Sequence, residues 1–135
     1  MRYLASPNFN ERAKDSLIEY VVIHYTEMTS AKKAIERLTD PETEVSSHYL
    51  IDEEGVITQM VDEKLRAWHA GKSMWHGKDD LNSTSIGIEL SNLGHSLGYH
   101  DFPKEQLESL ENLLKEIYKR YSLPPEALLA HSDIA

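Results

Sequence analysis

The run Glu19-Tyr-Val-Val-Ile-His-Tyr-Thr26 sets the frame for the rest of this chain. It is almost wholly apolar and rich in β-branched and aromatic residues, the pattern of a strand covered on both faces. Such a strand needs partners above and below it, which points to a layered α/β domain. Two more apolar runs, Ser85-Ile-Gly-Ile-Glu-Leu-Ser91 and Ala127-Leu-Leu-Ala-His-Ser-Asp133, read as further strands. Residues 47–52 and 56–61 flank Glu53-Glu-Gly55 and read as a β-hairpin with glycine in its turn. Ser30 caps a helix over residues 30–37, with Ala31, Ala34, Ile35 and Leu38 on one face, and Asp40-Pro41 ends it. Behind Pro103, residues 104–121 carry Leu107, Leu110, Leu113, Leu114, Ile117, Tyr118 and Tyr121 at helical spacing. Residues 6–12 read as an irregular lead-in, and residues 62–81 and 92–102 as loops. The order strand, helix, hairpin, strand, helix, strand predicts a single α/β domain: a mixed central β-sheet with helices packed on its faces.

Charge and cysteine content narrow the function. With 23 acidic against 14 basic residues the net charge is -9. Nucleic-acid binding is not expected, because it needs a basic face to neutralise phosphates. Adhesion to an anionic membrane surface is disfavoured for the same reason. There is no cysteine, so packing alone must hold the fold, and any metal must be held by His, Asp or Glu. Met1-Arg-Tyr-Leu-Ala-Ser-Pro7 lacks the apolar segment of a signal peptide. No run approaches the ~18 apolar residues of a membrane span. A cytoplasmic monomer without membrane insertion is the expectation, with release from the cell as the alternative.

The chemistry-bearing residues sit in the strands. His24 and His131 stand at the ends of two of them, and Glu89 lies within a third. Imidazole and carboxylate suit zinc, which acidifies a bound water, and a neighbouring carboxylate can relay the proton. In strand alternation Glu89 shares a side with Gly87, where the missing side chain leaves room beside the carboxylate. Plainer readings stand next to these. A histidine ending a strand also serves as a satisfied, half-buried residue. A glutamate between Ile88 and Leu90 also suits the solvent face of an edge strand. Trp68 and Trp75 also work as loop anchors, and His95 and His100 flank glycines in a solvated loop.

Six segments, in order along the chain, carry a resemblance: Ser6-Pro-Asn-Phe-Asn-Glu-Arg12, Val22-Ile-His-Tyr-Thr26, Val45-Ser-Ser-His-Tyr-Leu-Ile51, Ala67-Trp-His-Ala-Gly71, Leu81-Asn-Ser-Thr-Ser-Ile-Gly-Ile-Glu89 and His131-Ser-Asp-Ile-Ala135. Together they resemble the zinc-dependent N-acetylmuramoyl-L-alanine amidases of type 2. That superfamily includes peptidoglycan recognition proteins and amidase-type phage lysozymes, and the likeness is strongest to bacterial anhydro-muropeptide recycling amidases. The resemblance implies hydrolysis of the amide between N-acetylmuramic acid, in its 1,6-anhydro form or not, and L-alanine of the stem peptide. It implies His24 and His131 as Zn2+ ligands, Glu89 as the catalytic carboxylate, and His48, Tyr49, Trp68, His69, Trp75 and Asn92 in or beside a groove for peptidoglycan fragments. It also implies a third ligand beyond His131, preceded by a catalytic lysine. The sequence stops at Ala135, so residues 1–135 are expected to form a type 2 amidase domain without its C-terminal metal-ligand loop. The alternative is a non-catalytic peptidoglycan-fragment binding module of the same fold.

Overall fold

The structure, a computed structural model, describes residues 1–26, 28, 30–71, 80–92 and 102–130. In chain order these form β1 (Arg2–Tyr3), β2 (Phe9–Glu11), β3 (Tyr20–Tyr25), α1 (Ala31–Thr39), β4 (Tyr49–Ile51), β5 (Ile57–Gln59), β6 (Leu65–Ala67), α2 (Leu81–Thr84), β7 (Ser85–Leu90), α3 (Lys104–Tyr121) and β8 (Leu128–Ala130). Six strands make one mixed sheet in the order β1-β5-β4-β7-β3-β8, and β2 and β6 form a separate two-stranded ribbon. The predicted α/β class with helices on both faces is the one observed. None of the helices among the described residues is long and apolar enough to cross a membrane.

Alternation along the strands sorts the sheet into two faces. Val21, Tyr49, Ile51, Ile86, Ile88 and Leu90 pack with Leu113 and Ile117 of α3. On the other face Leu50 packs with Ala34 and Leu38 of α1, and Val22 and Leu129 pack with Leu81 and Ala70. Each large apolar side chain buried on these two faces contributes roughly 1.5–3 kcal/mol. The α1 cap forms as the sequence indicates: Ser30 Oγ accepts from the Lys33 amide at 3.2 Å. The helix runs to Thr39, two residues past the expected end, and Asp40 leaves it in extended conformation ahead of Pro41. The hairpin pairs Leu50 with Thr58. Its glycine is required: Gly55 has φ +86°, and a Cβ there would lie 2.7 Å from the Glu105 carbonyl oxygen.

Two elements differ from expectation. Residues 6–12 contain a strand, and so do residues 62–81: β2 pairs antiparallel with β6, Asn10 opposite Arg66. Three-residue strands are too short to show a period, and their pairing is set by tertiary contact. The ribbon is locked to the main sheet by Arg12. Its guanidinium donates to the carbonyls of Glu63, Asn82, Ser83 and Ser85 at 2.8–3.3 Å, and burial brings its pKa down to about 10. On α3, Leu107 is 44% exposed rather than part of the buried stripe, and the fully buried Gln106 donates to the Ile51 and Ser91 carbonyls.

Candidate active site

The sheet places the chemistry by register. β7 is a central strand between β4 and β3, so Glu89 lies in the interior of the sheet and not on a solvent-facing edge. In the parallel β3–β7 pair, His24 stands directly opposite Glu89. On the other side of β3, Ala130 of β8 pairs with Ile23. His131 follows Ala130 in the sequence and lies outside the described residues, as does Trp75. His24 and Glu89 project to the face of Val22 and Leu50 and occupy the last rungs before the C-terminal ends of parallel strands. Open α/β sheets bind ligands outside those ends.

Glu89 is half-buried as a residue, yet its Oε2 is enclosed and has no hydrogen-bond partner among the described residues. It borders a cavity of about 40 Å³ lined by Tyr25, Thr26, Met28, Arg37 and Leu38, large enough for water. Burial pushes its pKa up to about 7, with the Arg37 cation opposing the rise. A buried carboxyl poised near neutrality, on the rung it shares with His24, has the properties of a general base.

His24 is 6% exposed. Its Nε2 lies 3.0 Å from Nδ1 of His69, and the two rings meet edge to face. His69 Nε2 in turn lies 3.1 Å from Ser85 Oγ. The space above Gly87 is occupied by this ring: a Cβ on Gly87 would sit 2.5 Å from His69 carbons. The room that glycine leaves in the strand is therefore taken by His69, and not kept open beside Glu89. Asn82 Oδ1 accepts from the amides of His69 and Ala70 at 3.1 and 2.8 Å, fixing the loop that presents the ring.

The remaining groove candidates fall in different places. Trp68 is half-buried and its Nε1 donates to Asn10 Oδ1 at 3.0 Å. Asn92 is buried at the end of β7, where its amide donates to Thr26 Oγ1. His48 is fully buried: Nδ1 accepts from the Gly87 amide and Nε2–H donates to the Leu65 carbonyl. Burial, with Arg12 nearby, holds its pKa down at about 4, so the ring is neutral at physiological pH. Tyr49 lies on the opposite face with α3, its hydroxyl donating to Glu63, which also receives Arg120 and Tyr121. The structure therefore does not bring Tyr49 to His24 and Glu89. Strand alternation already separates neighbours 48 and 49, a signal available in the sequence. Sequence reasoning missed Arg12, Asn82 and Ser85, whose roles depend on backbone groups far along the chain.

The donor chemistry on this rung, the His24 imidazole and a carboxylate whose Oε2 has no hydrogen-bond partner among the described residues, fits zinc. Among the described residues no group of three His, Cys, Asp or Glu is assembled for a metal.

Comparison with known proteins gives a consistent result. The family model described as N-acetylmuramoyl-L-alanine amidase matches residues 13–135. The chain is 42% identical over 130 residues to the N-acetylmuramoyl-L-alanine amidase AmiD of Escherichia coli, covering 87% of this chain and 46% of that protein. It is 31% identical to the 1,6-anhydro-N-acetylmuramyl-L-alanine amidase AmpD of Haemophilus influenzae, covering 99% of this chain and 80% of the relative. The solved structure of E. coli AmiD in complex with the substrate anhydro-N-acetylmuramic acid-L-Ala-D-gamma-Glu-L-Lys superposes with a TM-score of 0.78 at 38% identity, over 92% of this chain and 52% of that one. The chain thus spans about half the length of AmiD.

Proposed function

This chain belongs to the N-acetylmuramoyl-L-alanine amidase family, and from that premise we propose that residues 1–135 form an amidase domain that hydrolyses muropeptides. The substrate class is a peptidoglycan fragment, including those with the anhydro sugar. The bond broken joins the lactyl carbonyl of N-acetylmuramic acid to the amine of L-alanine. Water adds its oxygen to the carbonyl, and the amine leaves with a proton. The observation that carries the reading is the His24–Glu89 rung, on which Glu89 Oε2 is enclosed and has no hydrogen-bond partner among the described residues.

His24 and His131 would hold Zn2+. When bound, zinc polarises a carbonyl oxygen and brings the pKa of a water towards ~7. Glu89, as its carboxylate, takes the proton of the attacking water at Oε2 and returns it to the leaving nitrogen. Its raised pKa suits both halves of that transfer. Trp68, with Trp75 from the family pattern, would line the sugar-peptide groove, which calls for apolar walls and a few polar groups. His48 supports this groove from beneath through Gly87.

The test is Glu89→Ala assayed for release of free stem peptide from a muropeptide, with zinc content and circular dichroism measured in parallel. Loss of ~10²–10⁴-fold in rate with metal and fold retained is the expected result. Undiminished turnover would remove Glu89 from the reaction.

A further inference from the structure

We infer that His69 is a positioning residue that dictates which ring nitrogen His24 offers to the metal, an inference that rests on the zinc amidase reading above. It follows from accounting for protons along one line of contacts. Ser85 Oγ lies 2.5 Å from the Leu81 carbonyl oxygen. Two oxygens that close need a proton between them, so the Ser85 hydroxyl donates to Leu81. Its oxygen is then an acceptor for the other neighbour, Nε2 of His69 at 3.1 Å. His69 therefore carries its proton on Nε2 and a lone pair on Nδ1. That Nδ1 is 3.0 Å from His24 Nε2, so His24 must be the donor there. A neutral His24 protonated on Nε2 bears its lone pair on Nδ1, and Nδ1 is the ligand atom.

The surroundings hold the line in place. The His69 ring is seated on Gly87, where any side chain would collide with it. Its loop is fixed by Asn82 Oδ1 through two amides. Both ring nitrogens of His69 are engaged, by His24 and by Ser85, so the ring acts through His24 and does not read substrate. A hydrogen bond of this kind from a ligand's second nitrogen sets tautomer and orientation, and its loss typically weakens metal binding 10–100-fold.

The experiment uses the whole chain, first stripped of metal. Long-range ¹H–¹⁵N spectra of the histidine rings are expected to show His24 as the Nε2-protonated tautomer in the wild type. In His69→Leu the two tautomers should mix, and zinc affinity, measured by competition with a chromophoric chelator, should drop ~10–100-fold. His69→Asn puts an amide oxygen near the lost Nδ1 and should restore both readouts, a rescue that simple space-filling would not produce. Ser85→Ala frees His69 to exchange tautomers and should also mix those of His24, which serves if the Leu variant does not fold. An Nδ1-protonated His24 in the wild type would overturn the inference. So would a folded His69→Leu protein with unchanged tautomer and zinc affinity. If the wild type takes up no zinc, the zinc reading fails by itself, and the tautomer spectra alone decide the role of His69.

Discussion

Replacing Glu89 by glutamine should stabilise the metal-free protein at alkaline pH and leave it unchanged at acid pH. Burial raises the Glu89 carboxyl from 4.5 to about 7 in the fold, while the unfolded chain keeps the ordinary value. Below pH 4.5 both states hold the proton and the group contributes nothing to the balance. Between 4.5 and about 7 the unfolded chain releases the proton first, so the folded state binds more protons and stability falls as pH rises. Above 7 both are ionised and the full cost of burying the charge is present. At about 1.4 kcal/mol per pKa unit, the interval from 4.5 to about 7 amounts to roughly 3 kcal/mol. Glu89 keeps some contact with solvent, and screening there trims the expected difference to about 2 kcal/mol. Glutamine is nearly isosteric and cannot ionise, so the variant escapes this cost. Urea unfolding of both proteins in chelator at pH 4.5, 6 and 8 would measure it, with the slope m unchanged. A stability difference that is flat with pH, or that grows towards acid, would refute the argument that burial sets this carboxyl. The same variant should lose hydrolysis, so a residue that costs the fold stability at pH 8 would be one the reaction needs.

Other outcomes follow from the same geometry. Although burial pushes the Glu63 carboxyl up, hydrogen bonds from Arg120, Tyr49 and Tyr121 hold it below the usual range. Glu63→Gln should therefore cost about 1–3 kcal/mol at pH 7, and the difference should shrink as pH falls through the carboxylate range, measured by urea unfolding against pH. Gly55→Ala must adopt φ +86° and place a methyl 2.7 Å from a backbone oxygen of α3. A loss of about 2–4 kcal/mol is expected from left-handed strain and overpacking together, and a loss under about 0.5 kcal/mol in denaturant titration would mean that the turn relaxes away from the helix.

The repeating patterns of the sequence determined the layers. The apolar run at residues 20–25, the glycine-bearing hairpin and the helical spacing of Leu110, Leu113, Leu114 and Ile117 all appear in the fold where they were read. Local chemistry is enough there, because each element must bury one stripe or two faces and the period records which. The ordered family motifs were equally legible, since short strings such as Trp68-His69-Ala70-Gly71 are read without knowing what they touch. What the sequence left open was every relation between positions distant along the chain. The ribbon of β2 and β6 is too short to carry a period, and it exists because Arg12 finds four carbonyls across the fold. Gly87 looked like space beside Glu89, and three-dimensional packing gave that space to His69. Tyr49 and His48 are neighbours in one motif but lie on opposite faces of the sheet. The parallel register that sets His24 against Glu89 pairs residues 65 positions apart in the sequence. Only the assembled sheet fixes such a register, because it is the simultaneous burial of both faces that selects one alignment over its neighbours.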